Sequence, residues 1–441
     1  MLPPGPRLPS LVQAYRFIFT PAAFTRALRD KYGDAVRFHS AIGKGVALMD
    51  PALVKEVFAA SPDTFAALPM LDPLFGPSAV ISASGEQHKK LRKLLNPRFH
   101  GVQVKGVLSV MQRAIREHVA TLLESGKGRQ VVVASDFSQA MALDVIIETV
   151  FGEAENLNRA EAREVLRNVV HAFHPSILAG GIFQKRWFPP WRRLLEARAA
   201  FDAWANGLIR ARRARADDAL GRDVLGAILA ARYDDGSTMT ESEVRDQLIT
   251  LLLAGHETSA TALAWCVYYL AKSPEVLARL RQELALLGAA PAPETLLRVP
   301  YLDAVVSETL RIEPIVTDVL RVCREPFTIG NKWTVQKGEV IAVMMVSIMK
   351  DERYFPEPDR FRPERFLEKK FSLSEFMPFG GGARRCLGAA FAEAELALAI
   401  AELALSCDIQ LATDEPERAT RRNVTMGPAR GVRIRVRPRA S

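Results

Sequence analysis

The stretch FGGGARRCLG, residues 379–388, decides the fold of this 441-residue chain. Three glycines and two arginines precede Cys386, and the alanine-rich segment 387–405 after it is predicted to be a helix. Glycine-rich loops often bind phosphate, but this one follows FMP rather than a strand and lacks the Lys-Ser/Thr pair of a phosphate loop. The cysteine therefore needs a different explanation.

A cysteine at the start of a helix is suited to binding a metal as a thiolate. The free N–H groups and the dipole of a helix N-terminus lower the basicity of a thiol. Gly382 and Gly388 carry no side chains where a flat macrocycle has to approach the backbone. Arg384 can reach an anion at the edge of the same ligand, and Phe379 can cover the sulfur. A haem iron bound by Cys386 explains these residues together.

The composition is that of a globular protein, with 49% hydrophobic and 25% charged residues. The four cysteines form no CxxC pair, which leaves a disulfide scaffold, a zinc ribbon and a CxxCH haem attachment unsupported and favours reduced thiols in a cytosol. The N-terminus has no bilayer-spanning run and no signal-peptide pattern, so we expect a cytoplasmic protein without a membrane anchor. The net charge of +9 comes without a nucleic-acid recognition motif, which favours an acidic protein partner over DNA or RNA.

Helical periodicity dominates the chain and predicts one mostly helical domain over residues 1–441, with small sheets. Strand patterns are short, and no βαβ alternation of a dinucleotide-binding fold is present. The predicted helices are 51–60, 105–124, 138–152, 159–171, 190–215, 241–272, 274–287, 300–313 and 387–405. The predicted strands lie in 35–49, 318–345, 407–411 and 431–436.

The predicted helix 241–272 is apolar almost all round, which is typical of a helix through the centre of a protein. Its middle nevertheless reads AGHETSA, residues 254–260. Gly255 costs about 1 kcal/mol there, and a buried Glu257 costs more unless it has a function. Two explanations stay open. One is a solvated notch or a satisfied polar pair; the other is a gap against a bound ligand, with the acid and the Thr258 alcohol beside it.

Two further charged pairs have the spacing of one helical turn. Glu308 and Arg311 share a helix face, and Arg365 in a proline-defined loop can complete a buried structural network with them. His88 and Arg92 also share a helix face. Taken alone, each pair is more typical of a surface helix than of a site. The alternative for His88 and Arg92 is a pair that binds an anion.

Together these patterns resemble the cytochrome P450 family of haem-thiolate monooxygenases. The family pattern F-x-x-G-x-R-x-C-x-G is matched by residues 379–388, and A-G-x-[DE]-T is matched by residues 254–258. Both matches are complete, and the first signature is highly specific.

The remaining family motifs are matched in the family's order, from about residue 80 to 390. E-x-x-R is matched by Glu308 and Arg311, and the later arginine is Arg365 in PERF. Arg321 fits the arginine that reaches a haem propionate. Many members carry Trp where this chain has His88, and the histidine is similar to that of soluble bacterial members.

The resemblance implies a triangular, mainly helical fold with haem b between the long central helix and the cysteine-bearing helix. It implies Cys386 as the axial ligand of the iron, and Thr258 and Glu257 as catalytic residues that order water and deliver protons to dioxygen. It implies a structural network of Glu308, Arg311 and Arg365 behind the haem. The implied haem-binding residues are His88, Arg92, Ala254, Arg321, Phe379, Gly380, Arg384, Cys386 and Gly388, with His88 and the three arginines on the propionates.

The implied reaction inserts one oxygen atom from dioxygen into an apolar substrate. By position, the substrate pocket draws on apolar segments at 66–83 and 172–184, although apolar loop residues are equally consistent with core. We expect a fatty acid, terpenoid or steroid, with polyketide tailoring next, and the segment 175–190 as a lid. The expected pocket residues are Leu251, Ala254, Gly255, Ile315, Val316 and Met426, and the candidates for binding a fatty-acid carboxylate are Lys185 and Arg186.

Electrons derived from NAD(P)H are expected from a separate ferredoxin or flavodoxin and its reductase. Such an acidic partner is expected to dock on Lys89, Lys90, Lys93 and Arg385, with the lysines free to meet it, and the enzyme is expected to be a monomer. Two other functions stay open: a peroxide-driven peroxygenase or isomerase, and a haem sensor or electron carrier. The intact Glu257–Thr258 pair favours dioxygen chemistry over both.

Overall fold

The computed structural model describes residues 2–40, 43–99, 102–125, 131–152, 157–174, 176–177, 183–214, 223–288 and 290–439. Helices account for most of this part of the chain. They are α1 (Ser10–Phe19), α2 (Pro21–Tyr32), α3 (Pro51–Ala59), α4 (Asp72–Phe75), α5 (Gly85–Leu95), α6 (Val102–Ser125), α7 (Ala134–Phe151), α8 (Arg159–Ala172), α9 (Pro189–Arg213), α10 (Val224–Ala230), α11 (Glu241–Lys272), α12 (Pro274–Ala285), α13 (Pro293–Leu296), α14 (Pro300–Ile312), α15 (Met345–Met349), α16 (Arg365–Glu368) and α17 (Ala389–Ser406).

The strands are short and form small sheets. They are β1 (Ala35–Ser40), β2 (Gly43–Leu48), β3 (Phe65–Ala66), β4 (Val131–Val133), β5 (Val319–Cys323), β6 (Phe327–Ile329), β7 (Trp333–Val335), β8 (Val340–Val343), β9 (Cys407–Leu411), β10 (Ala419–Arg422), β11 (Thr425–Pro428) and β12 (Arg433–Pro438). One sheet has the order β1-β2-β8-β5-β3, with β2 and β8 parallel, and another has the order β4-β12-β9. The pairs β6-β7 and β10-β11 are antiparallel.

The long helix α11 forms the centre of the fold. Thr240 and Glu243 form a capping box that fixes its start. From there its apolar residues pack against α7, α14, α17 and β11, and Leu263 and Cys266 have no exposed surface. Burial on all sides agrees with the sequence pattern, because a helix that is apolar all round has to be covered all round.

The hairpin β10-β11 packs across α11 near its middle. The Met426 N–H donates to the Ile315 carbonyl oxygen at 2.9 Å, and Trp265 Nε1 on α11 donates to the Met426 carbonyl oxygen at 3.1 Å. These two bonds fix the hairpin between α11 and the segment that follows α14. The turn between its strands, with Asn423 at a left-handed φ of 49°, therefore points at the same region as the middle of α11.

The prediction of a mostly helical protein with small sheets is confirmed. The sequence analysis did not predict α1 and α2, which lie in the proline-containing N-terminus. Pro21 occupies the first turn of α2, where proline favours a helix, since its missing N–H has no helical partner there. The hairpin β10-β11 was also missed. Within the described ranges, no helix combines the length and hydropathy that crossing a membrane requires.

Some predicted features lie partly outside the described residues. Within the predicted lid 175–190, residues 175 and 178–182 fall outside. The described part of this segment includes the start of α9 at Pro189.

Candidate active site

A cavity of about 590 Å³ lies between the middle of α11 and the loop that carries Cys386. Most of the side chains that line it are apolar. It brings together every residue that the sequence analysis assigned to haem binding, together with Glu257 and Thr258. The lining residues from that set are His88, Arg92, Ala254, Glu257, Thr258, Arg321, Phe379, Gly380, Arg384, Cys386 and Gly388.

Cys386 lies in a loop that its own backbone holds in shape. Its N–H donates to the Phe379 carbonyl oxygen at 2.9 Å, and its side chain is exposed on the wall of the cavity. Burial raises the pKa of the thiol, while the Gly388 N–H and the charges of Arg385 and Arg92 act in the opposite direction. The Gly388 N–H, at the N-cap of α17, thus acts on the thiol in the direction expected of a helix start, while burial acts against it.

Two glycines of this loop are required for different reasons. A side chain on Gly388 meets no atom within 4 Å, so its open side faces the cavity and leaves clearance for a ligand. A side chain on Gly382 collides with the Phe58 carbonyl oxygen at 2.6 Å, and Gly382 has a φ of 66°. The expectation that Gly382 makes room for a macrocycle is therefore wrong, since it makes room for α3.

Four basic side chains meet at the cavity without an acidic partner. Burial, together with the charges of Arg384, Arg92 and Arg321, lowers the pKa of His88 to about 4. Arg384 Nη2 donates to the Ala83 carbonyl oxygen at 2.6 Å and to Ser84 Oγ at 3.1 Å. Burial lowers the pKa of Arg321 and of Arg384 to about 10 each. Among the described residues, no carboxylate forms an ion pair with any of these arginines, so the cluster is suited to an anionic ligand.

The AGHETSA segment of α11 presents Ala254 to the cavity. Ala254 is exposed there, and its carbonyl oxygen accepts a hydrogen bond from Thr258 Oγ1 at 2.5 Å. A side chain on Gly255 meets Ile146 Cδ1 of α7 at 3.0 Å. Gly255 therefore allows close packing of α7 on α11, whereas the space for a ligand lies in front of Ala254.

Glu257 is held by the hairpin β10-β11. Asn423 Nδ2 donates to its Oε2 at 3.2 Å, and Thr425 Oγ1 donates to its Oε1 at 3.0 Å. Burial raises the pKa of Glu257 to about 7. The residue also borders a second, smaller cavity of about 190 Å³, which polar side chains including Gln139, His171 and His256 line. Glu257 thus separates an apolar cavity from a polar one.

Sequence reasoning missed Asn423 and Thr425, and it missed a second buried acid. Glu395 on α17 is only 1% exposed, and neither of its oxygens has a hydrogen-bond partner of good geometry. Burial raises its pKa to about 8, and the nearby Ser259 hydroxyl on α11 lowers it only in part. A glutamate within the apolar pattern of the 387–405 helix was the signal that could have found it.

Glu308, Arg311 and Arg365 form a buried network away from the cavity. Arg311 Nε donates to Glu308 Oε2 at 2.7 Å, and Arg365 Nε lies 3.0 Å from the same oxygen. Arg311 also donates to the carbonyl oxygens of Met349 and Pro358, both at 2.8 Å. None of the three lines the cavity. The network therefore ties α14 to the loops before α16.

The expected substrate residues divide into two groups. Leu251, Ala254, Gly255, Ile315 and Val316 line the cavity. Met426 does not line the cavity. Its backbone is hydrogen-bonded within the fold, and the residue is only 7% exposed. Val424, two residues earlier, lines the wall instead.

The candidates for binding a carboxylate, Lys185 and Arg186, are exposed and lie outside the cavity lining.

The lysines of α5 are at the surface, but two of them have partners. Lys89 Nζ lies 2.5 Å from Asp63 Oδ2, and Lys93 Nζ lies 2.7 Å from Asp234 Oδ1. The expectation that these lysines are free is therefore wrong for both. Exposed pairs of this kind are worth about 0–1 kcal/mol, so they do not prevent a competing acid from binding.

The chain resembles known proteins over nearly its whole length. A family model described as cytochrome P450 matches residues 2–433. Cytochrome P450 135B1 of Mycobacterium tuberculosis is 34% identical, over 99% of this chain and 91% of the relative. Cytochrome P450 135A1 of the same species is 31% identical, over 99% and 95%.

The fold is also similar to a solved structure. The retinoic-acid-bound cyanobacterial CYP120A1 has a TM-score of 0.87 and 25% identity, and the likeness covers 99% of both chains. With the cysteine loop, the central helix and the family match in agreement, the chain belongs to the cytochrome P450 family of haem monooxygenases.

Proposed function

We propose that Cys386 is the axial ligand of haem b and that the enzyme inserts one oxygen atom from dioxygen into an apolar substrate. One observation carries the proposal: the Cys386 thiol lines the same cavity as a set of basic side chains that have no acidic partner among the described residues. A buried positive cluster costs free energy unless an anion neutralises it. The two propionates at the edge of haem are anions of this kind.

The residues present fit the cofactor. In this proposal the propionates are bound by His88, Arg92, Arg321 and Arg384, which all line the cavity, while Gly388 leaves the clearance that a planar ligand needs. Bound haem supplies the activation of dioxygen, and a thiolate ligand favours cleavage of the O–O bond.

We propose that Glu257 and Thr258 supply the protons. A group with a pKa near 7 can give up and regain a proton at neutral pH, which is the property that general acid catalysis requires. Thr258 Oγ1 donates its own proton to the Ala254 carbonyl oxygen, which leaves the hydroxyl oxygen to accept from water. Since Glu257 is bonded to the hairpin, water has to connect the two residues.

The substrate is an apolar molecule in this proposal. Fatty acids, terpenoids and steroids are favoured, with polyketides or other secondary metabolites next, because the cavity wall is largely apolar. The retinoic acid in the similar cyanobacterial structure has a long hydrocarbon part, which supports a largely apolar ligand, and it also carries a carboxyl group.

Electrons come from separate partners in this proposal. We propose an acidic ferredoxin or flavodoxin, reduced by NAD(P)H through its reductase, that docks on Lys89, Lys90, Lys93 and Arg385. A monomeric state, a single domain over 1–441 and a cytoplasmic location stay predictions from the sequence.

A peroxide-driven enzyme or isomerase is the second candidate, and a haem sensor is the third. Turnover with peroxide and without any reductase supports the second. The acid and alcohol on the cavity wall favour the first, because neither a peroxide enzyme nor a sensor needs a source of protons.

The haem site is tested by Cys386→Ala, with Cys407→Ala as the control for losing a thiol. We expect only Cys386→Ala to lose the thiolate signature of the reduced carbon-monoxide complex. An unchanged signature in Cys386→Ala would falsify the assignment.

The proton source is tested by Thr258→Ala. We expect haem and substrate binding to persist while electrons are diverted to peroxide, with product per electron pair falling about tenfold or more, since general acid catalysis contributes roughly 10²–10⁴-fold. Unchanged coupling of electrons to product counts against the role of Thr258.

A further inference from the structure

Two charged side chains, Asp318 and Arg421, interrupt the apolar wall of the main cavity. Asp318 directly precedes β5, and Arg421 lies in β10. Neither belongs to the basic cluster near Cys386. The hairpin β10-β11 brings them together, because its Met426 N–H is bonded to the Ile315 carbonyl oxygen, three residues before Asp318.

Arg421 is fixed in its orientation by three oxygens that carry no net charge. Its Nε donates to the Ile18 carbonyl oxygen at 2.9 Å, its Nη1 to the Val424 carbonyl oxygen at 2.8 Å and its Nη2 to Thr317 Oγ1 at 3.3 Å. A guanidinium has five N–H donors, so two are left. The side chain is thus held rigidly with donors to spare on the cavity wall.

Asp318 is separated from Arg421 by the hydroxyl of Thr317. Thr317 Oγ1 donates to Asp318 Oδ1 at 2.8 Å while it accepts from Arg421. Asp318 and Arg421 affect each other's pKa, although burial is the larger cause for both, raising the pKa of Asp318 and lowering that of Arg421. Among the described residues, neither forms a direct ion pair. The cavity therefore contains an acceptor and a donor that are fixed a short distance apart.

The charges decide which polar group fits between them. A carboxylate is attracted by Arg421 but repelled by Asp318, and an ammonium group is attracted by Asp318 but repelled by Arg421. A neutral hydroxyl can donate to Asp318 and accept from Arg421 without opposing either charge. We propose that the substrate is an apolar alcohol whose hydroxyl binds between Asp318 and Arg421. This inference rests on the proposed function, because it names the substrate class of the same cavity.

The inference narrows the substrate classes. A fatty acid needs a cation for its carboxylate, and the two expected candidates, Lys185 and Arg186, lie outside the cavity lining. Among the described residues of the lining, Arg421 is the cation that stands apart from the basic residues near Cys386, and Asp318 offsets it. A terpenoid or steroid alcohol therefore fits the wall better than a fatty acid does.

The test is binding, measured in the haem-loaded protein by the ligand-induced shift of the haem absorption band and by calorimetry. The ligands are a long-chain alcohol and the hydrocarbon, carboxylic acid and amine of matched length. We expect the alcohol to bind roughly tenfold more tightly than the hydrocarbon, as two hydrogen bonds in a buried site allow. We expect the acid and the amine to bind less tightly than the alcohol.

Variants separate recognition from structure. Asp318→Leu is expected to lose the preference for the alcohol over the hydrocarbon. Asp318→Asn keeps the shape and is expected to gain affinity for the acid, because Arg421 loses its opposing charge. Val316→Ala, an apolar change on the same wall, is expected to alter all four affinities by a similar factor.

Tightest binding of the acid or the amine by the unaltered enzyme overturns the inference. So does an alcohol preference that survives Asp318→Leu together with an acid affinity that Asp318→Asn leaves unchanged. Equal affinity for alcohol and hydrocarbon also overturns it. A missing thiolate signature in the unaltered enzyme overturns the proposed function instead, so the two failures are distinguishable.

Discussion

Asn423 opposes the effect of burial on the ionisation of Glu257, although burial is the larger cause. Its amide donates to the carboxylate, which favours the ionised form and opposes the effect of burial. The bond depends on the left-handed turn conformation of Asn423, which few residues other than asparagine and glycine adopt readily. One residue of a short hairpin thus contributes to the proton affinity of an acid on the central helix.

Asn423→Gly is expected to raise the pKa of Glu257 further above about 7. Glycine accepts the left-handed φ, so the substitution removes the donor without straining the turn. A hydrogen bond to a charged group is worth about 1.5–3 kcal/mol, which corresponds to an increase of roughly one to two pKa units. The measurement is infrared titration of the carboxyl band, with Glu257→Gln identifying the band.

Thr261→Val is the matched control for Asn423→Gly. Thr261 lines the same small cavity and makes no hydrogen bond to Glu257, so its loss is expected to leave the titration in place. A Glu257 band that titrates at the same pH in Asn423→Gly and in the unaltered protein contradicts the role given to Asn423.

The residues that sequence reasoning identified and the ones it missed differ in a physical way. Cys386 and Arg384 belong to one motif, and Thr258 belongs to another. The members of each motif are close in sequence, so their spacing alone identifies them. Asn423 reaches the cavity because the hairpin β10-β11 folds back on α11 over more than a hundred residues, and Asp318 lies in the segment to which that hairpin is bonded. The stretch that holds Asn423 has neither a 3.6-residue period nor clear alternation, and it gave no signal.

At the scale of elements, the packing of α11 against α17 encloses the buried acid Glu395. The residue lies at the contact of the two helices that flank the cavity, near Ser259. The apolar pattern of both helices predicted their burial correctly. Which polar residue they enclose depends on the register of one helix against the other, and periodicity does not fix that register.

Glu395→Gln is expected to reduce the loss of stability at rising pH. The pKa of Glu395 is about 8 in the folded protein, against 4.5 as the ordinary value. Below pH 4.5 both states are protonated. Between pH 4.5 and 8 the unfolded chain loses the proton and the folded protein keeps it, so the free energy of unfolding falls as pH rises, by up to about 5 kcal/mol. A glutamine side chain does not ionise, so it adds no such pH dependence to the free energy of unfolding.

The measurement is the free energy of unfolding by urea at pH 5 and pH 8. Glu164→Gln, on the exposed face of α8, serves as the control and is expected to keep the pH dependence of the unaltered protein. If the free energy of unfolding depends on pH in the same way in Glu395→Gln and in Glu164→Gln, the pKa of Glu395 is not raised in the folded protein.

At the scale of the whole molecule, the family motifs come in order along one chain, and this order is why the fold could be predicted. The motifs anchor the cysteine loop, the central helix and α14, and the helices between them follow from periodicity. The terminal parts contain α1, α2 and the hairpin β10-β11, which no motif marks. The charge of the surface that carries the α5 lysines is also a property of the whole molecule. Acids that are distant in sequence, such as Asp234, form ion pairs with these lysines and offset part of their charge.

The double variant Lys89→Glu, Lys93→Glu is expected to slow reduction by an acidic ferredoxin or flavodoxin roughly tenfold at low salt, and less at high salt. Both lysines are exposed and their ion pairs are weak, so an acidic partner can compete with Asp63 and Asp234.

The matched control is the double variant Arg435→Glu, Arg437→Glu on the exposed face of β12. Each change from a basic to an acidic side chain removes two charges, so both double variants lower the net charge from +9 to +5. Stopped-flow reduction across a salt series separates a local surface from net charge. Equal slowing of the two variants assigns the effect to net charge, and unchanged reduction of the lysine variant by every donor excludes this surface as the docking site.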